Sequence, residues 1–469
     1  MPSYSQSAGP TGRTAPRLAI LLAFAIASGA ALMAAATTSS EGYERLLVLL
    51  IALVVGGAVT ACLLRNPPLA LAMLVVAGLL VPLELGTGTQ SRINPALLVA
   101  PIVIGAWLIP IMSHREQVAF VFSRTTLPLL AFMAVAVLSL IVGQFPWFPV
   151  AGAPMAAQLA GLAMFLLSGG IFVVAAHVLR DLRWLRIVTW VFFFTAAVHV
   201  VAAAVPGLGA TVSRVLPAGA TGSMFWTWLL ALGSAQVAFN RDLKPPARLA
   251  IGLLVVAALL ICLFQKRDWL SGWIPGLVAI IAMAALRKPL AALMGTVLAA
   301  ILTVINGDRL LREIATSESR YSFLTRMEAV RRMVPILEAD PILGLGPANY
   351  YHYTRLNPIM GWHVKFNSHN NYIDIVAQTG LLGFGCFVWF AFELCRTGWR
   401  LLHRASSGFE RAYAYGALGG LAGTLVAAAF GDWVIPFVYN VGVEGFRSSI
   451  LAWLFLGGLV ALDQAVQPS

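Results

Sequence analysis

His369 stands where a long polar stretch of the chain meets an apolar segment of membrane-spanning length. That segment is predicted to be a helix whose N-terminal end, with its partial positive charge, lies beside the histidine. The positive helix end and the arginines upstream both disfavour imidazolium, so we expect the neutral ring near neutral pH. A neutral imidazole is suited to act as a general base. The alternative is an interfacial or capping histidine that takes no part in chemistry.

The residues on both sides of this histidine are of types that shape a loop. Ser368 and Asn370 each predict an N-cap for the helix that follows. Upstream, residues 344–347 read Gly-Leu-Gly-Pro and predict a turn. Glycine accepts left-handed backbone and allows close approach to a ligand. We therefore assign a loop-shaping role to Gly344, Gly346 and Asn370.

A histidine metal site is an alternative use of the same stretch, which also contains His352 and His363. The three histidines are separated by eleven and six residues, which matches no compact metal-ligand pattern. We therefore expect neither a metal nor another cofactor, and we expect the loop to act through its own side chains.

Cations predicted on the same side of the membrane as His369 indicate an anion site. The long polar stretch is rich in arginine and includes Arg326. Lys266 and Arg267 occupy a short connection on the face where the positive-inside rule disfavours cations. Guanidinium groups bind phosphate in a bidentate manner and keep their charge. The alternatives are a solvated helix face for the arginines and, for the second pair, either an ion pair with Asp268 or a re-entrant turn.

The composition places these residues in a membrane protein. Of 469 residues, 59% are hydrophobic and 11% are charged, and the mean hydropathy is +0.85, whereas a soluble domain usually carries about 25% charged residues. Backbone polar groups in lipid must be satisfied internally, and no strand-like alternation is present. The expected fold is an all-α polytopic bundle of about 12–14 membrane-spanning helices. The predicted spans are roughly 18–36, 46–64, 67–86, 95–112, 126–143, 158–179, 185–205, 221–239, 248–265, 269–286, 289–306, 371–395, 412–431 and 448–465.

The charge pattern predicts the orientation of the chain. The net charge is +12, and most Lys and Arg residues lie in alternate loops, which the positive-inside rule assigns to the cytoplasm. This accounts for the basic balance without nucleic acid. Both termini are then cytoplasmic, with the first apolar run expected to be an anchor rather than a cleaved signal. The predicted units are N-terminal membrane helices (1–306), a periplasmic catalytic loop with short helices (307–370) and C-terminal membrane helices (371–469).

One helix of the loop is predicted over residues 321–338, where apolar residues recur at spacings of three and four. Arg326 projects from another face of this helix. The segment is predicted to end at Asp340-Pro341, because the residue before proline disfavours helical backbone. The apolar stripe consists of Leu324, Met327, Val330, Val334 and Leu337.

Two stretches of the sequence resemble the O-antigen ligase and polymerase superfamily of bacterial membrane glycosyltransferases. The first reads Arg-Met-Glu-Ala-Val-Arg from residue 326 and Pro-Ile-Leu-Gly-Leu-Gly-Pro-Ala-Asn-Tyr from residue 341. The second reads Ser-His-Asn-Asn-Tyr-Ile-Asp-Ile from residue 368 and Thr-Gly-Leu-Leu-Gly from residue 379. The family pattern runs from an arginine, through a glycine-containing turn, to a His-Asn pair that opens a membrane helix. The resemblance covers about 60 residues.

This resemblance implies an enzyme of the bacterial inner membrane that takes a glycan from undecaprenyl diphosphate on the periplasmic face. An O-antigen ligase would pass the glycan to a hydroxyl of lipid A-core, and a polymerase would pass it to another lipid-linked repeat. By motif, the catalytic histidine corresponds to His369 and the diphosphate-binding loop arginine to Arg326. The tryptophan that often follows that arginine by four residues is Val330 here.

A second family element, Ser-Arg-Gly, corresponds to residues 266–268 chiefly through Arg267, because this chain has Lys266 and Asp268 in place of serine and glycine. Lys266 and Arg267 are then expected to bind the diphosphate together with the loop arginine. Arg214 is assigned either a further diphosphate contact or the role of an interfacial anchor. In this interpretation His369 deprotonates the acceptor hydroxyl, and a single displacement inverts the anomeric carbon.

The most specific expectation is an O-antigen ligase, and an O-antigen or exopolysaccharide polymerase of the same superfamily is the first alternative. A polysaccharide or lipid flippase is the second. A flippase would need ionisable groups lining a cavity near the bilayer midplane, whereas the predicted spans are almost free of charge and the charges gather in one loop. A structural scaffold without activity is the third alternative.

Overall fold

The computed structural model describes residue 60 and the ranges 62–86, 92–112, 123–205, 216–217, 219–290, 293–294, 297, 317–406 and 408–466. Within these ranges the chain is almost entirely helical. The helices are α1 (Pro67–Leu80), α2 (Pro95–Met112), α3 (Thr126–Val142), α4 (Met155–Val178), α5 (Leu182–Ala204), α6 (Ser223–Phe239), α7 (Pro245–Leu260, continued by a π-helical turn, Ile261–Gln265), α8 (Leu270–Arg287), α9 (Ser317–Leu337), α10 (Tyr350–Tyr353, followed by the 3-10 turn Thr354–Leu356), α11 (Asn371–Arg404), α12 (Phe409–Phe430) and α13 (Phe446–Val466, preceded by the 3-10 turn Val443–Gly445). Two-residue strands β1 (Leu85–Gly86) and β2 (Arg92–Ile93) pair antiparallel.

Eight of these helices are long and apolar enough to cross a membrane, namely α2, α4, α5, α7 with its π-helical turn, α8, α11, α12 and α13 with its 3-10 turn. The apolar helices α1, α3 and α6 are shorter. Each of these helices coincides with a predicted span, so the prediction of an all-α polytopic membrane bundle is confirmed. The predicted spans 18–36, 46–64 and 289–306 lie largely outside the described residues, and the count of 12–14 stays a prediction.

Helix α13 lies at the centre of the described bundle, where it packs against α4, α6, α11 and α12. In the apolar 18-residue stretch that could cross the membrane, 83% of the residues of α13 are buried inside the protein, compared with 28% for α2 and for α7. Small residues permit the close packing: Gly457 faces the backbone of Phe172, and Gly458 faces the hydroxyl of Tyr413. Glycine at such contacts lets membrane helices approach each other. The surface of α2 and α7 is left for lipid.

Arg447, at the start of α13, is fully buried and ties α13 to the end of α1. Its Nη1 donates to the carbonyl oxygens of Gly78 at 3.2 Å and Val81 at 2.9 Å, and its Nη2 donates to that of Leu83 at 2.9 Å. The last carbonyls of a helix have no partner within the helix. A cation is also favourable at this negative helix end. Arg447 therefore has a structural role.

We predict that Arg447→Leu lowers the stability of the folded protein by at least about 2 kcal/mol, because it leaves buried carbonyl groups without a donor. Arg447→Lys should recover part of the loss, since it keeps the charge but not the fork of donors. Thermal unfolding of the detergent-purified protein measures the effect. Arg411→Gln, at an exposed cation on α12, is the matched control, and an equal midpoint for Arg447→Leu and this control would contradict the assignment.

Helix α11 is interrupted at Gly380, where φ is +66° and ψ is −174°. Residues 341–346 fill the break. The N–H of Leu381 donates to the carbonyl oxygen of Pro341 at 2.8 Å, and the N–H of Leu345, in the inserted segment, donates to the carbonyl oxygen of Ala377 at 2.9 Å. These bonds satisfy the backbone groups that the interruption frees, as an apolar environment requires. The result is a short helical segment, 371–379, with the loop held against its side.

Helix α9 begins and ends close to the predicted bounds of 321–338, and it ends before Asp340-Pro341. The face that it buries is not the one that the sequence pattern singles out. Its buried residues include Ala329, Met333 and Ile336, whereas Leu324, Met327 and Val334 are exposed. A helix that lies between a protein surface and a bilayer has apolar residues on both sides. Spacing alone does not distinguish the two sides.

Candidate functional site

His369 lies in a tight turn immediately before α11. Its φ is +50°, in the left-handed region that few non-glycine residues adopt. Asn370 is the N-cap of α11, and its side-chain oxygen accepts the N–H of Tyr372 at 2.9 Å and that of Ile373 at 3.4 Å. Strained backbone at a single non-glycine residue is typical of functional sites. The turn and the cap hold the histidine at the N-terminal end of the helix.

A buried polar cluster supports this turn from behind. The Ser368 hydroxyl lies 2.7 Å from Oδ1 of Asp374 and accepts the N–H of Asn370 at 3.0 Å. The Tyr350 hydroxyl donates to the same carboxylate oxygen at 2.5 Å. Burial raises the pKa of Tyr350 well above its ordinary value, and Asp374 raises it further, so this phenol stays a donor. The cluster joins α10 to the first turn of α11.

Gly344 and Gly346 both adopt left-handed backbone, with φ of +71° and +87°. A Cβ atom at Gly344 would lie 2.6 Å from the backbone nitrogen of Gly380. A Cβ atom at Gly346 would lie 2.8 Å from the carbonyl oxygen of Ser139. The close approach that these glycines allow is to other backbone segments of the chain. These contacts shape the loop.

Asp432 and Asn440, in the connection between α12 and α13, complete the surroundings of His369. Nδ2 of Asn440 lies 3.2 Å from Nδ1 of His369, and it donates to Oδ1 of Asp432 at 2.5 Å. Oδ2 of the fully buried Asp432 accepts the backbone N–H groups of Phe437 at 2.9 Å and Val441 at 3.2 Å. The carboxylate therefore orients the amide that contacts the histidine.

The contacts of Asn440 indicate which nitrogen of His369 carries the proton when Asp432 is ionised. With Asp432 ionised, the amide nitrogen must face the carboxylate, because the amide oxygen would meet a second acceptor there. The other N–H of the same nitrogen is then available to Nδ1 of the histidine. A neutral ring that accepts at Nδ1 carries its proton on Nε2. Nδ1 is therefore the basic nitrogen, and Nε2–H is a donor.

Arg326 reaches the same cluster from α9. Its Nη1 donates to the carbonyl oxygen of Phe430 at 3.3 Å, two residues before Asp432. Burial lowers the pKa of Arg326, and the charge of Asp432 raises it, so the two groups are within electrostatic range. A guanidinium has five N–H donors. Nη1 makes the hydrogen bond seen within the described residues, and the guanidinium carries further N–H donors.

The electrostatics of the cluster favour a neutral histidine. Burial lowers the pKa of His369, and the charge of Arg326 lowers it further. Burial raises the pKa of Asp432, and the N–H groups that it accepts act in the opposite direction. These directions agree with the sequence-based expectation of a neutral imidazole near neutral pH. Burial is the larger cause, and the sequence indicated only the charge effects.

Lys266 and Arg267 make no direct contact with the histidine in the part of the chain that the structure describes. Nζ of Lys266 lies over the rings of Trp226 and Trp269, 5.8 and 5.3 Å from their centroids. Trp269 meets Trp433 edge to face, with a centroid separation of 5.6 Å. Aromatic rings thus join the 265–269 connection to the α12–α13 connection that holds Asp432.

Arg267 itself is exposed, and its backbone carbonyl accepts the indole N–H of Trp273 at 3.3 Å. No ion pair between Arg267 and Asp268 is found among the described residues, and separate helices α7 and α8 flank the connection. The ion pair is absent among these described residues, and the re-entrant alternative stays untested. Arg214, the other predicted diphosphate contact, lies outside the described residues.

The other two histidines of the loop have separate partners. His352 Nε2 lies 3.2 Å from the hydroxyl of Tyr439, and His363 Nδ1 lies 3.0 Å from the carbonyl oxygen of Arg355. Across the described ranges, no three His, Cys, Asp or Glu side chains come together as metal ligands do. The alternative of a three-histidine site has no support in the geometry of the loop.

The sequence assigned no role at the site to Asp432, Asn440 or Asp374. A signal was present for both carboxylates. An acidic residue inside or next to an apolar span is costly, and such residues are usually functional or paired. Asn440 carries no comparable signal, because asparagine in a short connection is most often a turn residue.

No protein-family model matches the chain, and no curated protein matches it. The resemblance of residues 326–383 to a glycosyltransferase superfamily therefore stands on the motif residues themselves. A functional assignment has to rest on what the site can do chemically.

Proposed function

We propose that this chain is a membrane glycosyltransferase that moves a glycan from undecaprenyl diphosphate to an acceptor hydroxyl on the periplasmic face of a bacterial inner membrane. The observation that supports this best is the position of His369 at the N-terminal end of a membrane-spanning helix, within electrostatic range of the guanidinium of Arg326. The reaction needs a base for the hydroxyl. It also needs a cation for the departing diphosphate. A site at the end of a spanning helix suits two substrates that are anchored in lipid.

In the proposed step, the acceptor oxygen attacks the anomeric carbon while the bond from that carbon to the diphosphate oxygen breaks. Nδ1 of His369 takes the hydroxyl proton, and the acceptor hydroxyl displaces the N–H of Asn440 from it. The departing diphosphate keeps the electron pair of the broken bond, and Arg326 neutralises its charge. Asp432 holds the amide of Asn440 that contacts the ring. A single displacement inverts the anomeric carbon, so a product with retained configuration by NMR would contradict this step.

The proposed acceptor is lipid A-core, which would make the enzyme an O-antigen ligase, with a polymerase of the same superfamily as the alternative. A length-distribution assay on cells that lack the gene separates the two. Loss of all surface-linked chains with accumulation of lipid-linked polymer would indicate a ligase. Persistence of single surface-linked repeats would indicate a polymerase.

A flippase is the alternative from another class, and it needs ionisable groups near the bilayer midplane. Besides Asp374, which belongs to the polar cluster behind His369, the described spanning helices bury two acidic side chains, Asp463 and Glu393, which a charge-poor interior did not predict. Each lies beside a cation: Asp463 is 3.9 Å from Arg400, and Glu393 is 3.8 Å from Arg396. Arg400 and Asp463 lie near the C-terminal ends of α11 and α13, and Glu393 and Arg396 lie in the second half of α11, away from His369. Their position favours a structural role over a transport path.

The pH dependence of transfer tests the base assignment. The free base is the active form, so the rate should be constant at high pH and fall as the pH drops through the lowered pKa of His369, below about 6.5. Arg326→Gln should move the midpoint upward, because it removes a cation that lowers this pKa. Arg331→Gln, at an exposed position of the same helix, should leave the midpoint unchanged. A midpoint above that of ordinary histidine in the unmodified protein would contradict a neutral base.

Asn440→Ala tests the orientation of the histidine. We expect kcat to fall by roughly 10- to 100-fold, because a small misplacement of a reacting group costs about this much. The donor KM should change little, since Asn440 does not face the diphosphate in this account. Steady-state kinetics with purified protein measure both constants. Asn357→Ala is the matched control, as its amide donates only to the backbone of Arg332, at 3.2 Å, and a loss of kcat equal in both variants would remove the positioning role.

A further inference from the structure

A second cluster of polar and aromatic side chains begins one residue before Asn440. The Tyr439 ring stacks on that of Tyr351 with centroids 4.5 Å apart and an interplanar angle of 12°. The Tyr439 hydroxyl lies 3.2 Å from Nε2 of His352. Consecutive Cα atoms are about 3.8 Å apart, so this cluster adjoins the surroundings of His369 through the Tyr439–Asn440 peptide.

Two cations, Lys365 and Arg355, lie within electrostatic range of His352. Nζ of Lys365 lies 3.3 Å from Nδ1 and 3.4 Å from Nε2 of His352. Burial, Lys365 and Arg355 all lower the pKa of His352, so its ring is neutral beside the two cations. Lys365 and Arg355 are both exposed, and within the described ranges neither forms a salt bridge. We call Tyr351, His352, Arg355, Lys365 and Tyr439 the basic–aromatic patch.

The chemistry of the basic–aromatic patch defines the ligand that it fits. Exposed arginine and lysine side chains favour a phosphate or a carboxylate group. Stacked tyrosines with a neutral histidine supply aromatic edges and hydroxyl or imidazole hydrogen-bonding groups, as in sites that orient a polar organic ligand. A saccharide with an anionic substituent carries both features.

We infer that the basic–aromatic patch is the acceptor subsite of the proposed transferase and takes a saccharide that carries a phosphate or carboxylate group. The inference rests on the proposed function for the direction of transfer. A saccharide held by Tyr439 would have a neighbouring hydroxyl within reach of the histidine that Asn440 contacts. An anionic phospholipid head group presents the same phosphate chemistry. Adjacency to His369 and the hydroxyl-rich character of the patch favour the saccharide.

Direct binding tests the inference without requiring transfer. The protein in nanodiscs of zwitterionic phosphatidylcholine would be titrated with a trisaccharide that carries one phosphate monoester and with its unphosphorylated counterpart. We expect at least tenfold tighter binding of the phosphorylated sugar, and at least a tenfold loss with Lys365→Gln or Arg355→Gln. Arg331→Gln is the control, as an exposed arginine outside the patch. Equal affinity for the two sugars, or unchanged affinity in both variants, would overturn the proposal.

Two further arms distinguish the acceptor subsite from a lipid head-group site and from a saccharide site without transfer. In nanodiscs that contain phosphatidylglycerol, competition with the sugar is expected to be weak. The inference would be wrong, and the patch would be a lipid head-group site, if the protein bound phosphatidylglycerol but not the phosphorylated sugar, and if both Lys365→Gln and Arg355→Gln abolished the lipid binding. His369→Gln should bind the sugar normally. If the unmodified protein binds the sugar but transfers no glycan, the proposed function fails and the patch remains a saccharide site. Failure of the proposed function is therefore distinguishable from failure of the subsite.

Discussion

Replacement of His369 by glutamine is expected to reduce glycan transfer by roughly 10²- to 10⁴-fold, the contribution typical of a general base. Glutamine keeps hydrogen-bonding capacity near Asn440 but cannot accept the hydroxyl proton at neutral pH. In cells, the expected result is loss of surface glycan with accumulation of the lipid-linked donor. The measurement is surface glycan per molecule of membrane-inserted protein.

The control for this variant is His363→Gln. His363 belongs to the same loop and is exposed, and within the described residues its ring nitrogen Nδ1 lies 3.0 Å from the carbonyl oxygen of Arg355. The His363→Gln protein should transfer glycan normally. Normal transfer by a correctly inserted His369→Gln protein would remove His369 from the mechanism and leave the capping or interfacial interpretation.

Arg326→Gln is expected to reduce kcat/KM for the lipid diphosphate donor by roughly 10²- to 10³-fold, as with removal of one group that stabilises developing negative charge. Most of the loss should appear in kcat if the guanidinium acts on the departing diphosphate. Arg326→Lys should recover only part, because lysine lacks the planar fork that matches phosphate. Kinetics at saturating acceptor measure these constants.

The matched control for Arg326 is Arg331→Gln, since Arg331 is exposed on the same helix. Because Arg326 also donates to the carbonyl oxygen of Phe430, thermal unfolding of each variant shows whether the fold is intact. A stable Arg326→Gln protein with unchanged kcat/KM for the donor would exclude this arginine from the diphosphate site.

The membrane bundle was predictable because bilayer thickness sets the length of an apolar span and hydropathy reports it directly. The interruption of α11 was not, since Gly380 reads as an ordinary glycine within a span. Its need for glycine arises from the backbone of residues 341–346, which lies against it only in the folded chain. Such contacts depend on packing between segments that local sequence patterns do not connect.

The candidate site was predictable in its local part. The position of His369 at a helix start, and the cap at Asn370, follow from residues that are neighbours in sequence. The contacts with Asp432 and Asn440 span more than sixty residues of chain, so no spacing rule indicates them. The sequence also grouped Lys266 with the arginine of α9, whereas the structure places Lys266 over two tryptophan rings. Counting charged residues predicts the sign of a surface's charge, but which cations lie close together depends on the folded structure.

Reconstitution of the purified protein in liposomes tests the central claim most directly. The vesicles would contain only undecaprenyl-diphosphate-linked glycan, radiolabelled in its sugar, and lipid A-core as acceptor. We predict that one undecaprenyl diphosphate is released for each glycan joined to the acceptor, and that both products are absent for His369→Gln. Movement of the labelled donor between leaflets with its glycan–diphosphate bond intact, and no transfer to the acceptor, would contradict the account and identify a flippase.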